Sequence, residues 1–320
     1  ISAIARGIAG GVAAARVQGG AGKPVLTCIM DGDKLSAASA LNGERLPNYA
    51  FPENAARVLG KLANYADWRK QPQGMIPEFD DMQPQAARAR CQSIVKERGT
   101  GWLDAEEVRQ VLKDFSLPVS PSAIGRSADA AAQAARDIGF PVALKLASRQ
   151  IVHKTEFGGV LLNLQDEIAV RAAFATIHER LAAANRLDAF DGVLVQPMIG
   201  GGVELMVGIT QDPSFGPLIA FGLGGIHVEI LQDVCFRVTP ITDRDAKEMV
   251  RAIHGSRLLE GYRGHPPADI AAIEDLLLRV ARLVEEIPEI TELDLNPVIA
   301  LPPGQGCCIV DARIRVASTQ

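Results

Sequence analysis

The chain has 320 residues, of which 48% are hydrophobic and 22% charged, with 33 basic against 38 acidic residues and a formal net charge of -5. That balance fits a globular protein and excludes disorder, collagen-like repeats and a disulfide scaffold. No positive field draws it to nucleic acid or to a membrane surface, and no apolar run reaches the roughly eighteen residues of a bilayer span, so small-molecule chemistry is the expected class.

The five cysteines, Cys28, Cys91, Cys235, Cys307 and Cys308, are odd in number and show no CxxC spacing. They suggest a reducing, cytoplasmic location without a zinc site. The chain opens on Ile1 inside a strongly patterned stretch that lacks the basic start of a signal peptide, so a piece of a longer protein is expected.

A small-residue helix is expected over residues 1–18, followed by a turn at Gly19 and Gly20. The run 24–30 is short, apolar and β-branched, which reads as a buried parallel strand. A helix over 36–43, an extended piece over 47–51 and a helix opened by Pro52 and running to about Trp68 come next. Residues 69–84 carry Pro72, Pro77 and Pro84 among polar residues without an apolar period, and read as a linker.

Beyond it, Asp104 is placed as N-cap of a helix with Val108, Val111 and Leu112 on one face, and a second helix over 127–137 ends at Gly139. The strand 141–147 sets Val142, Leu144 and Leu146 on one face and Lys145 on the other. A loop over 148–159, a strand over 160–164, a helix over 166–184 and a strand over 192–196 follow. Further strands are expected over 203–209, 218–222, 234–238, 292–295 and 307–311, with helices over 243–253 and 268–287. The first seventy residues thus read as α/β and the remainder as α+β.

Four places could carry chemistry. Lys145 sits among apolar residues, where an unpaired ammonium is costly, so it either meets an anion in a cleft or snorkels from an edge strand. The loop SRQIVHKTEFGG over 148–159 combines Arg149, His153, Lys154 and Thr155 with paired glycines, which suits a phosphoryl group but also describes a solvated basic loop. The Gly-rich turn after Phe221, with His227 and Glu229 beyond it, lets a backbone approach a ligand or simply joins two strands. Glu292, Asp294 and Asn296 alternate onto one strand face, with Asp311 on the next strand; such oxygen ligands suit Mg²⁺, and a solvated face is the alternative.

These motifs stand together in GFPVALK at 139–145, IVHKTEFGGV at 151–160, FGLGG at 221–225, LLEGYRG at 258–264 and DLNP at 294–297 with Asp311. In that order they resemble the ATP-grasp domain of nucleoside-diphosphate-forming acyl-CoA synthetases of the ADP-forming acetyl-CoA synthetase type. FPENAA at 51–56 and NYADWR at 64–69 resemble the end of the flavodoxin-like ligase domain that precedes it.

The resemblance implies a ligase segment over 1–70, a linker over 71–97 and a two-lobed ATP-grasp domain over 98–320. In the latter the lobes cover about 98–192 and 199–316, with a hinge at 193–198. It implies the reaction of a small carboxylic acid, CoA and ATP to acyl-CoA, ADP and phosphate through an acyl phosphate and a phosphohistidine, with ATP or ADP and Mg²⁺ as cofactors. His153 would carry the phosphoryl group. Lys145, Lys154, Glu204, Gly224 and Gly225 would serve the nucleotide, and Gln196, Pro197 and Met198 would form the adenine hinge. Asn296 and Asp311 would hold the metal, with Asp294 supporting or ligating.

No CoA-binding domain is recognised, and the first histidine of the chain is His153. CoA-binding and ligase domains are therefore expected in the same full-length chain or on a partner subunit, and self-association through the surface they leave is a further expectation. The alternative is a ligand-sensing region of a protein lysine acetyltransferase fusion. Neither the acid nor the choice between ADP and GDP is legible.

Overall fold

The computed structural model describes residues 2–20, 22–28, 40–41, 44–151, 154, 157–225, 233–262, 264 and 266–318. The chain divides into two compact units, residues 1–73 and 74–320.

In the first unit, helix α1 (Ser2–Ala15) ends before Gln18 and Gly19, whose backbone leaves the helical region. Of the expected strand at 24–30, residues 29 and 30 lie outside the described residues; the described part forms one parallel bridge, Thr27 to Asn48, with Thr27 N–H donating to the Pro47 carbonyl and Tyr49 N–H to that of Thr27, both at 2.9 Å. The expected helix over 36–43 is corrected at its end, its first half lying outside the described residues. Strands β1 (Ala40–Leu41) and β2 (Glu44–Arg45) pair antiparallel there, and the intervening Asn42-Gly43 is a strong hairpin signal that outweighs a short helical pattern. Pro52 opens α2 (Pro52–Lys70), with Glu53 in its first turn and Arg69 and Lys70 in its last, as the helix dipole favours.

The second unit contains two antiparallel sheets. The smaller has the order β4 (Ala123–Gly125), β7 (Gly192–Pro197), β5 (Val142–Ala147), β6 (Val160–Leu164). The larger joins β10 (Val234–Val238), β9 (Gly216–Leu223), β8 (Val203–Asp212), β11 (Ile290–Ala300), β13 (Ala312–Val316) and β3 (Gly101–Trp102), with β12 (Cys307–Ile309) on β11. Each sheet buries one face under helices. Val142, Leu144, Leu146, Val193 and Val195 pack with α5 (Ala128–Ile138) and α6 (Glu167–Ala183). Leu205, Val207, Phe221, Leu293, Leu295 and Ile314 pack with α3 (Pro84–Arg98), α4 (Ala105–Asp114), α7 (Asp243–Ala252) and α9 (Ile270–Glu286), the short α8 (Ser256–Leu259) adding Leu259.

Residues 71–97, expected as a linker, are instead largely docked on this unit. Met75 exchanges backbone and side-chain hydrogen bonds with Asp243, and Arg279 reaches Asp81 at 3.0 Å while lying 4.5 Å over the Phe79 ring. Helix α3 buries only Ala87, Cys91 and Ile94 among basic and polar residues, which leaves too weak an apolar period to read.

A second correction concerns the strand expected over 307–311. It stops at Ile309, and Asp311 lies in a two-residue connection before β13. The register of β11 shifts between Leu295 and Val298, where Pro297 has no N–H for the ladder; Val310 N–H bonds to the Pro297 carbonyl at 3.0 Å and Asn296 N–H to that of Asp311 at 3.1 Å.

All five cysteines are free, and burial pushes the thiols of Cys91 and Cys307 up to about 12. Among the described residues no helix is long and apolar enough to cross a membrane.

Candidate functional site

Strand alternation sorts the smaller sheet into a helix-covered face and an opposite face. Lys145 pairs with Leu194, Ala143 with Gln196 and Ala147 with Gly192, while Ile124 pairs with Leu194 from the other side. Cross-strand partners point the same way, so Ile124, Lys145, Leu194 and Gln196 share the face away from α5 and α6. On the larger sheet the same rule puts Glu204, Asp294 and Arg313 opposite the helix-covered face, through the pairings of Asp294 with Gly208 and Arg313.

A cavity of about 490 Å³ opens between elements of the two sheets, a size suited to a small-molecule ligand. Its wall includes Ile124, Arg126, Arg149, Lys154, Leu194 and Gln196 from the smaller-sheet side, and residues 102–109 and 309–313 from the other. Of the candidate site residues singled out in the sequence, Arg149, Lys154, Gln196 and Asp311 lie directly in this wall.

Lys145 is only 5% exposed, so the snorkelling reading fails. Its ammonium donates to the Val310 carbonyl at 3.0 Å, which ties the strand lysine of one sheet to the connection that carries Asp311 beside the other. Burial pulls its pKa down; Asp311 opposes that fall and Lys154 adds to it. Lys154 in turn lies 3.5 Å from Asp311 Oδ1.

Around Asp311 the remaining residues form a connected group on the larger sheet. Asn296 Oδ1 accepts from Gly225 N–H at 3.3 Å, and Gly224 N–H donates to the Glu204 carbonyl at 2.7 Å. Gly225 has φ +61°, a backbone conformation that favours glycine, and it sits against the end of the Glu204 side chain. Asp294 is driven above the usual carboxylate range by burial, with Arg313 opposing and Asp311 and Glu292 adding to the rise.

Pro197 and Met198 stand apart from this group, at the far end of β5, where Met198 N–H bonds to the Pro141 carbonyl. Gln196 is buried at 4% exposure, and its Oε1 has no hydrogen-bond partner among the described residues although the residue lines the cavity. A buried acceptor left open in a cavity wall suits a ligand N–H. His153, Thr155, His227 and Glu229 lie outside the described residues.

Oxygen donors from Asn296 and Asp311, joined through the Asn296 N–H to Asp311 carbonyl bond, fit a hard cation. No cluster of three or more His, Cys, Asp or Glu able to hold a metal occurs among the described residues. Mg²⁺ does not ask for one, because it characteristically takes one or two protein carboxylates and completes its shell with phosphate oxygens and water.

The wall also contains residues whose site role the sequence did not disclose. Asp104 forms a capping box with Glu107, accepting from the N–H groups of Glu106 and Glu107, and its other oxygen binds Arg149 at 2.6 Å. Burial alone would raise this carboxyl, but the Glu107 N–H and Arg149 outweigh that and hold it below the usual carboxylate range. Its place just before the apolar helical face identified Asp104 as the cap; nothing in the sequence could reveal the partner 45 residues away. Asp104→Ala removes both functions and is expected to lower unfolding free energy by about 1–2 kcal/mol. Asp104→Asn, which retains the capping oxygen, should cost less than half as much in the same denaturant titration.

Comparison with known proteins matches residues 94–316 to the ATP-grasp domain family. The chain is 38% identical over 293 residues to the ADP-forming 4-hydroxybutyrate–CoA ligase of Nitrosopumilus maritimus, covering 91% of this chain and 42% of that protein. It is 47% identical over 210 residues to the β subunit of ADP-forming acetate–CoA ligase II of Pyrococcus furiosus, covering 65% of this chain and 89% of the subunit. Among solved structures, the acetyl-coenzyme A synthetase 1 of Ca. Korarchaeum cryptofilum, in complex with coenzyme A and Mg-AMPPCP and with its phosphohistidine segment pointing towards the nucleotide-binding site, matches at 41% identity. Its TM-score is 0.62, over 72% of this chain and 99% of that one. The chain thus spans less than half the length of its full-length ligase relative and most of the separate β subunit.

Proposed function

The chain belongs to the ATP-grasp family represented in ADP-forming acyl-CoA ligases, and from that premise we propose that it is the nucleotide-binding and phosphoryl-transfer portion of an acyl-CoA synthetase. The overall reaction is that of a carboxylic acid, CoA and ATP to acyl-CoA, ADP and phosphate. The observation that carries this reading is the convergence of two lysines, Lys145 on β5 and Lys154 in the loop between β5 and β6, on the Val310-Asp311 connection beside the larger sheet, at the wall of a ligand-sized cavity.

In this reading Lys145 and Lys154 bind phosphate oxygens, and the open Gln196 Oε1 accepts from a base N–H. Gly224 and Gly225 let the backbone approach without a side chain. Asn296 and Asp311 hold Mg²⁺, with Asp294 behind them, and the ion when bound offsets charge on the phosphates. His153 takes the phosphoryl group from ATP, and a ligase-domain histidine elsewhere in the assembly receives it. The Korarchaeum complex, with its magnesium nucleotide and its phosphohistidine segment pointing towards the nucleotide-binding site, supports a magnesium nucleotide and a phosphohistidine in this reading.

Residues 1–70 are read as the end of a ligase domain, because the Nitrosopumilus match extends well beyond the residues of the ATP-grasp domain. The relatives that are full-length ligases or separate β subunits support CoA-binding and ligase domains as partners, in the same chain or on another. Five free thiols support a reducing compartment, the cytoplasm. The alternative of an acetyltransferase-fused sensor finds no support in these comparisons.

The test is calorimetric titration with ADP in Mg²⁺ and again in EDTA. Asn296→Ala combined with Asp311→Ala is expected to weaken ADP binding about tenfold in Mg²⁺, the order of one lost charge-assisted contact, with no weakening in EDTA. Equal losses under both conditions would overturn the metal assignment, and absence of ADP binding to the unaltered chain would overturn the nucleotide site.

A further inference from the structure

Resting on that reading, we propose that Lys154 occupies the cation position at Asp311 in the nucleotide-free protein, and so makes divalent-metal binding depend on the nucleotide. Four observations lead there. First, Lys154 Nζ is 3.5 Å from Asp311 Oδ1, and the two side chains are only 14% and 21% exposed, so the pair is sheltered from solvent screening. Second, the other nearby ammonium is already committed, because Lys145 donates to the Val310 carbonyl at 3.0 Å.

Third, the other proposed metal ligand is also engaged by the chain itself, since Asn296 Oδ1 accepts from Gly225 N–H at 3.3 Å. Fourth, the backbone of Lys154 is anchored. Its carbonyl accepts from Gly159 N–H at 2.8 Å, and the Gly159 carbonyl accepts from Leu146 N–H at 2.7 Å, next to Lys145 on β5. An exchange of partners therefore asks only for rotation of a lysine side chain with four flexible bonds, and Lys154 already lies in the cavity wall.

The consequence is electrostatic. A dication approaching Asp311 meets the Lys154 ammonium and must displace it, leaving that ammonium half-buried without its partner. A polyphosphate in the cavity offers the ammonium a more highly charged anion, and the same rotation that takes it frees Asp311. Metal and nucleotide then favour one another by a coupling that is reciprocal in binding free energy. An empty site is kept from collecting metal, and the magnesium nucleotide enters as a unit.

The test uses Mn²⁺ as the probe, its free concentration read by electron paramagnetic resonance, on the whole chain with and without ADP. Lys154→Gln should bind Mn²⁺ without nucleotide on the order of tenfold more tightly than the unaltered protein, and the enhancement produced by ADP should shrink correspondingly. Lys154→Arg retains the charge and should bind Mn²⁺ without nucleotide as weakly as the unaltered chain. Unchanged or weaker Mn²⁺ binding by Lys154→Gln, in a protein that still forms the Mn²⁺–ADP complex, would overturn the inference while leaving the proposed function standing. If the unaltered chain binds ADP but takes up no Mn²⁺ with it, the inference and the metal assignment fall together. Should Lys154→Gln not fold, Lys154→Met is read by the same criterion, and a failure of both to fold would make Lys154 a structural residue and overturn the inference.

Discussion

Lys145→Ala is expected to weaken ATP binding about a hundredfold while leaving adenosine binding within a factor of about two, because a desolvated charge contact is worth roughly 3 kcal/mol and each 1.4 kcal/mol is tenfold. The expectation follows from where the ammonium sits. Every residue of β5 is buried, and Lys145 shares its face with Leu194 and Gln196, both in the cavity wall. Among the described residues its hydrogen bond goes to the Val310 carbonyl, a neutral acceptor, which leaves most of its charge uncompensated by direct contact with them. Burial accordingly pulls its pKa below the ordinary lysine range, with only partial relief from Asp311. A phosphate anion supplies what the site lacks, and a neutral adenosine does not. Titration of both ligands into the variant, with a thermal melt as a check on folding, decides the matter. If adenosine affinity falls as far as that of ATP, Lys145 holds the two sheets in register and does not read phosphate.

The chemistry of this site was unevenly legible, and the reasons are physical. A lone lysine inside an apolar strand announces itself, because desolvation makes such a residue costly without a use. The carboxylates at Asp294 and Asp311 were visible through alternation, yet the break at residues 310 and 311 was not. It depends on Pro297 interrupting the ladder of a neighbouring strand, and pairing register is a tertiary property. Helix α4 was readable from Asp104 and the apolar face of Val108, Val111 and Leu112 because cap and period are local, whereas the Arg149 contact that turns the cap into part of a cavity wall joins residues far apart in sequence. Likewise Glu106 and Arg109 look like a solvated helical face until the fold places them beside the cavity, where they pair with one another. Helix α3 escaped notice because its buried stripe is one alanine, one cysteine and one isoleucine wide. Local signals thus reported which groups are expensive to bury, and the fold alone reported which of them meet.

His153→Ala is expected to abolish phosphoryl labelling of the chain altogether. On the proposed reaction, a neutral imidazole nitrogen of His153 attacks the γ-phosphorus of ATP, the bond to the β,γ-bridging oxygen breaks, ADP leaves and the imidazole sheds its ring proton. Incubation with γ-labelled ATP and Mg²⁺ should therefore deposit a label that is lost in acid and kept in base, the signature of a phosphoramidate rather than of a phosphate ester. No other histidine stands in this loop, the remaining ones being His178, His227, His254 and His265. His178 is set apart from the reaction by its place on α6, against Phe190 on the helix-covered side of the smaller sheet. Lys154, next in sequence to His153, lies 3.5 Å from Asp311. The variant should still bind ADP, because on the proposed reading the phosphate contacts come from Lys145 and Lys154. A label that persists in His153→Ala would move the phosphoryl acceptor elsewhere. Loss of label together with loss of ADP binding would make His153 a residue that shapes the nucleotide site, whereas loss of label with binding retained identifies it as the acceptor.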